Sequence, residues 1–206
     1  MSREAKAKQR EGNEIEFSRI VAFSDGVFAI AITLLVLNLH IHGGLSDGEI
    51  AHAIWAQHEH FLAYGISFAV IGRFWVVHHR FFGEVTAFDG RLIALNILYL
   101  GWIVLIPFSS QVLGEYGSKS TAVIVYAINL SAVVLIGMLM TADARHAGLT
   151  SIDDATLRES LIRSGYIAGV FLFSIPVAIF APSAATYMWL ILFFDPASRI
   201  AGRLST

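Results

Sequence analysis

The chain has 206 residues, of which 56% are hydrophobic and only 15% are charged. Soluble domains are closer to about 25% charged, so this composition indicates a membrane protein with several spans and little soluble mass. The net charge of −2 gives no basis for binding nucleic acid, and the absence of cysteine excludes disulfides and thiolate metal sites. Several spans leave no room for a separate catalytic domain, so we do not expect an enzyme.

Apolar stretches that could cross a bilayer recur along the whole chain. They run roughly over 17–39, 58–82, 91–113, 121–141, 161–180 and 184–198. A hydrocarbon core about 30 Å thick needs about 20 residues of helix, so the last stretch is short. The sequence therefore predicts an all-α integral membrane protein, with a single six-span domain over 1–206 and a cytoplasmic lead-in at 1–16.

The basic residues predict how these spans are oriented. They occur before the first span, beside the 83–90 turn, in the 142–160 loop and after the last span, whereas the 40–57 loop has neither Lys nor Arg. Loops rich in Lys and Arg stay in the cytoplasm. We therefore expect both termini to be cytoplasmic and the chain to be a multi-pass protein of the cell (plasma or inner) membrane.

The first span carries an apolar stripe with one hydroxyl. Gly26, Ile30, Thr33 and Leu37 step by four, three and four residues, so they share one face of a helix. Such a stripe can simply pack against another helix. It can also be a pore wall with a hydrophobic constriction that gates by dewetting.

A charged residue, Asp25, lies in the same span but points away from the stripe, by about 140°. At 1.5 Å per residue, Asp25 lies at the depth of Trp75, His78 and His79 of the second span and Asn96 of the third. Buried polar groups need partners, so we expect a polar cluster in the inner leaflet. The cluster can be a structural staple or a proton relay, since Asp and His also serve in relays.

The first span also carries a specific motif. Arg19-x-x-x-Phe23-Ser24-Asp25-Gly26, continuing as Val27-Phe28-Ala29-Ile30-Ala31-Ile32-Thr33-Leu34-Leu35, resembles the first-helix signature of the transmembrane protein 175 family of potassium channels. Trp75-x-x-His78-His79, Asn96 and Ile106-Pro107-Phe108 fit the same family.

The resemblance implies a homotetramer around a central pore lined by the first helix, without a carbonyl-lined selectivity loop. It assigns the constriction and a neighbouring threonine layer to Ile30, Thr33 and Leu37, with Leu34 adding to the constriction. It also implies a packing network near the cytoplasmic side, which would contain Arg19, Phe23, Ser24, Asp25, Trp75, His78, His79 and Asn96.

The partners expected on this basis are potassium ions, the lipid bilayer and further copies of the chain, with no nucleic acid, no cofactor and no bound metal apart from permeant potassium. The alternative function is a proton-conducting or proton-coupled transporter that uses Asp25, His78 and His79. A membrane scaffold without transport is the third hypothesis.

Overall fold

The computed structural model describes the backbone of residues 3–41 and 43–194 and the side chains of residues 15–41 and 43–192. Within these residues the chain is helical throughout, apart from short loops and one isolated bridge. The helices are α1 (Arg3–Leu34), α2 (Asp47–Ala56), α3 (His58–Gly83), α4 (Gly90–Val104), α5 (Ile106–Tyr116), α6 (Ser120–His146), α7 (Asp154–Phe180) and α8 (Pro182–Met188). Two 3-10 turns, Leu35–Asn38 and Trp189–Phe194, continue α1 and α8.

The described residues contain five candidate membrane spans. They are Ile15–Asn38, His58–Gly83, Gly90–Tyr116, Ser120–His146 and Asp154–Phe180. This confirms an all-helical membrane fold. The sixth stretch begins as α8 and its 3-10 turn, and residues 195–198 lie outside the described residues, as do Arg199 and Arg203. The sixth span therefore stays a prediction.

The third span is a broken helix. α4 ends at Val104 and α5 begins at Ile106, with Pro107 in its first turn. Proline has no N–H and its ring clashes with the preceding turn, so a helix rarely continues unbroken through it. Close to this break, the Asn38 side chain donates to the Pro107 carbonyl (Nδ2···O 3.2 Å).

The core of the protein is centred on α6, which contacts α4, α5, α7 and α8. Its side chains Val123, Tyr126, Leu130 and Val133 recur every three or four residues and are almost completely buried. α1 lies at the edge of this bundle and contacts α3, α4 and α5. That position leaves one face of α1 uncovered by the other described residues of the chain.

Two loops are joined at one end of the bundle. The Thr86 N–H donates to the Leu149 carbonyl (2.8 Å), and the Ser151 N–H donates to the Glu84 carbonyl (2.9 Å). The α3–α4 and α6–α7 turns therefore lie on the same side, as the distribution of basic residues predicts. The short helix α2, inside the 40–57 loop, was not predicted from the sequence.

Candidate functional site

The two faces of α1 differ sharply in burial. Ser24, Phe28, Ala31 and Leu35 recur at helical spacing, and all four are at most 1% exposed. The opposite face consists of exposed side chains, namely Arg19, Phe23, Gly26, Ile30, Thr33 and Leu37. The stripe predicted from periodicity is thus the face of α1 that no other described part of the chain covers.

The outer part of the stripe has a change of helix type. Ile30 is 58% exposed and Leu37 is 60% exposed, with Leu34 at the edge of the same face. The Thr33 hydroxyl donates to the Ile30 carbonyl (Oγ1···O 2.9 Å). The α-helix ends at Leu34 and tightens into the 3-10 turn Leu35–Asn38, as is frequent at the C-terminal end of a helix.

The other face of α1 carries a buried chain of hydrogen bonds. The Asn96 amide donates to the Ser24 hydroxyl (3.0 Å), which donates to the Ile20 carbonyl (2.9 Å). The Asn96 carbonyl oxygen pairs with His78 Nε2 (2.9 Å). Because that oxygen can only accept, Nε2 carries the proton, and the chain joins α1, α3 and α4.

Aromatic rings enclose His78 on several sides. The centroid of its ring lies 5.3 Å from that of Phe28, 4.6 Å from Phe82 and 5.5 Å from Tyr99. Its side chain is almost fully buried. This packing orients the imidazole toward Asn96, so His78 contributes to the contact among the three helices through both apolar and polar contacts.

Asp25 belongs to a second, separate group. The Trp75 indole N–H donates to its carboxylate (Nε1···Oδ1 2.8 Å), and the Trp75 ring stacks on His79 (centroids 5.4 Å apart). Asp25 is partly exposed and His79 is exposed. The single polar cluster expected at this depth is therefore two clusters on neighbouring faces of α1.

Arg19 and Phe23 lie beside the first group. They line an open groove of about 330 Å³ between α1 and α4, and Asn96 is at the same groove. Of the residues expected in the network, the structure thus brings together Ser24, His78 and Asn96 in one cluster and Asp25, Trp75 and His79 in another.

Other polar contacts were missed by sequence reasoning. Ser67 donates to Ser110 (2.7 Å) and lies 3.0 Å from the Tyr126 hydroxyl, and Asn129 donates to Ser109 (2.9 Å). Each of these residues lies in an apolar segment and therefore needs a partner. The sequence carries that signal but does not indicate which partner is near, because the contacts connect residues far apart in the chain.

Comparisons with known proteins point to one family. The model of the family described as endosomal/lysosomal potassium channel TMEM175 matches residues 19–107. A potassium channel of Streptomyces collinus is 40% identical over 124 residues, which are 58% of this chain and 60% of that protein.

Two further relatives extend the comparison. The endosomal/lysosomal proton channel TMEM175 of Gallus gallus is 37% identical over 110 residues, 50% of this chain and 22% of that protein. The crystal structure of a lysosomal potassium-selective channel TMEM175 homolog from Chamaesiphon minutus superimposes with a TM-score of 0.71 and 29% identity, covering 91% of this chain and 97% of that one.

The fold defines a multi-span, all-helical membrane protein. Its first half, residues 19–107, is similar to the TMEM175 family, and the chain spans 60% of the length of its Streptomyces collinus relative.

Proposed function

We propose that the chain is a potassium-selective channel whose pore is lined by the exposed face of α1, in a homotetramer. The observation that carries the proposal is that face itself, which presents Ile30, Thr33 and Leu37 in register while the opposite face is buried in the bundle. In a tetramer, four such faces would surround a common axis and shield one another from lipid. The stripe that is exposed in the single chain would then need no other protein to cover it. The potassium channels named among the relatives support the choice of ion.

In this proposal Ile30 forms the constriction, with Leu34 and Leu37 outward of it. A ring of apolar side chains offers nothing to replace the hydration shell of an ion, and a narrow ring dewets. Conduction therefore requires the neck to widen.

The polar groups behind α1 are structural in this proposal. The chain from His78 through Asn96 and Ser24 ends on the Ile20 carbonyl, which has no proton to pass on. The arrangement of the full protein as one six-span domain, with both termini cytoplasmic in the plasma or inner membrane, follows from the basic residues and belongs to the same proposal.

A proton-conducting function is the second candidate. The printed name of the Gallus gallus relative, a proton channel, favours it. Asp25 and His79 sit with Trp75, whereas His78 pairs with Asn96 in the other group. A relay through all three residues would have to cross between the two groups.

Ion flux from liposomes separates the two candidates. Vesicles loaded with potassium and diluted into sodium should acidify internally only after a protonophore is added, because a potassium-selective pore sets a potential but carries no protons itself. Acidification without the protonophore would favour proton conduction. No potassium-dependent potential with either cation gradient would contradict the channel proposal.

The constriction is tested by Ile30→Asn, with Ile30→Val as the matched control. A wettable side chain lowers the barrier of a dewetted neck, so Ile30→Asn should raise the basal cation current. Ile30→Val keeps the ring apolar and should leave that neck non-conducting at rest. Equal basal currents in the asparagine variant and the parent would mean that the stripe is not the narrowest part of a pore.

A further inference from the structure

Helix α2 is a surface helix that no other described part of the chain buries. None of its ten residues, Asp47–Ala56, is buried. Ile50 and Ile54 nevertheless share one face, because they are four residues apart, and Trp55 lies at the edge of that face; the three side chains are 37%, 44% and 78% exposed. An apolar face of this kind on a surface helix requires an apolar surface to cover it.

The polar side of α2 contains Glu49, which accepts two hydrogen bonds from Ser46 at the start of the helix. The Ser46 hydroxyl (2.6 Å) and the Ser46 N–H (2.8 Å) both donate to Glu49 Oε2. These two bonds lower the pKa of Glu49, so its carboxylate stays ionised. Glu49 and His52 thus define a face of α2 opposite to Ile54.

The position of α2 places it at the edge of the membrane. The single residue Gln57 separates it from α3, and the Gln57 side chain donates to the His40 carbonyl just beyond α1. Both ends of the loop are therefore fixed at the ends of membrane spans. The exposed side chains of α2 continue directly into exposed Phe61 and Leu62 in the first turns of α3.

We propose that α2 docks on the lipid bilayer, lying in the headgroup region with Ile50 and Ile54 turned toward the acyl chains and Trp55 at the edge of that face. Amphipathic helices of this kind lie parallel to the interface, and tryptophan favours that zone. The 40–57 segment has no Lys or Arg and carries Asp47 and Glu49. The docking is therefore driven by apolar contact and gains nothing from anionic headgroups.

Single-cysteine labelling tests this proposal, and the absence of native cysteine makes each label unique. Ile54→Cys on the apolar face and His52→Cys on the polar face are each labelled with an environment-sensitive nitrobenzoxadiazole dye and reconstituted in phosphatidylcholine vesicles. Ile50→Cys replaces Ile54→Cys if the latter fails to fold. We expect a blue-shifted emission at the apolar face and quenching there by lipids that carry a doxyl group high on the acyl chain. We expect iodide to quench the label at His52→Cys instead.

Each other outcome overturns the proposal. Iodide quenching at both positions would place α2 in water. A label on the apolar face protected from both iodide and doxyl lipids would mean that protein, such as a second copy of the chain, covers it. Stronger doxyl quenching in vesicles with phosphatidylglycerol would contradict the apolar driving force. The test needs no ion flux, so it is independent of the proposed channel function.

Discussion

Thr33 is the one hydroxyl-bearing side chain on the exposed stripe of α1. Its proton is used by the Ile30 carbonyl, as is common for threonine in a helix. The lone pairs of Oγ1 that are left face away from the backbone and can contact a partly dehydrated cation. The hydroxyl therefore contributes to ion preference in the proposed pore without being part of the apolar constriction.

We predict that Thr33→Ala weakens the preference for potassium over sodium but leaves the current, because it removes oxygen atoms and little bulk from the pore wall. Thr33→Ser, which keeps the hydroxyl, should retain the preference of the parent. Reversal potentials under bi-ionic conditions measure both. A parental reversal potential in Thr33→Ala would exclude the hydroxyl as a selectivity determinant.

The two polar groups behind α1 differ in how much of the fold depends on them. Asn96 is 1% exposed and bonds both Ser24 and His78, whereas Asp25 is partly exposed and bonds Trp75. An unsatisfied buried group costs about 1–3 kcal/mol. The hydrogen bond between Asp25 and Trp75 contributes less to stability than a fully buried one, because solvent or a neighbouring subunit can reach it.

We therefore predict that Asn96→Leu lowers the melting temperature of the detergent-extracted protein more than Asp25→Ala does. Asp25→Ala should still destabilise it, since Trp75 loses its acceptor. Thermal unfolding followed by size-exclusion chromatography gives both values. If Asp25→Ala had the stability of the parent but lost proton flux, the relay hypothesis would replace the structural one.

At the scale of whole elements, α1 and the broken third span depend on each other. The 3-10 turn of α1 ends at Asn38, and the Asn38 side chain donates a hydrogen bond to the Pro107 carbonyl near the α4–α5 break. Motion at this end of α1 must therefore either break this hydrogen bond or move Pro107 together with Asn38. The break in the third span is in this way coupled to the helix that carries the exposed stripe.

Asn38→Ala removes this bond, and we predict a loss of about 1 kcal/mol of stability, the usual net contribution of one hydrogen bond. Val36→Ala is the matched control, because Val36 lies in the same turn and is exposed. Urea or heat unfolding compares the two variants. A larger loss in Val36→Ala than in Asn38→Ala would mean that packing, and not this bond, holds the outer end of α1.

At the scale of the whole molecule, the membrane topology follows from which loops share a side. The bond between the Thr86 N–H and the Leu149 carbonyl connects the α3–α4 and α6–α7 turns at one end. Arg91 forms an ion pair with Asp143 (3.0 Å) near the same end. Because basic residues favour the cytoplasm, we predict that this end is cytoplasmic and that α2 lies outside.

We predict that His52→Cys on α2 reacts with an impermeant thiol reagent added to intact cells. Ala155→Cys, at the exposed start of α7, should react only after the membrane is permeabilised. Labelling in the reverse order would invert the topology. Labelling of both positions in intact cells would contradict the odd number of crossings, three, that the spans between them predict.

The sequence by itself determined the membrane class, five of the spans and the stripe on α1. These features depend on local composition and on helical periodicity, which a single segment carries without its neighbours. The motif around Asp25 also carried the resemblance to the TMEM175 family, whose model matches residues 19–107. Ile30, Thr33 and Leu37 could be placed on one face for the same reason.

Only the tertiary structure decided which polar groups meet. Ser24 and Asp25 are adjacent in sequence, yet one bonds Asn96 and the other Trp75, because successive residues of a helix point about 100° apart. The bond from Asn38 to the Pro107 carbonyl likewise depends on a contact between distant segments. Local patterns specify which residues need partners, whereas the packing of the helices selects the partner.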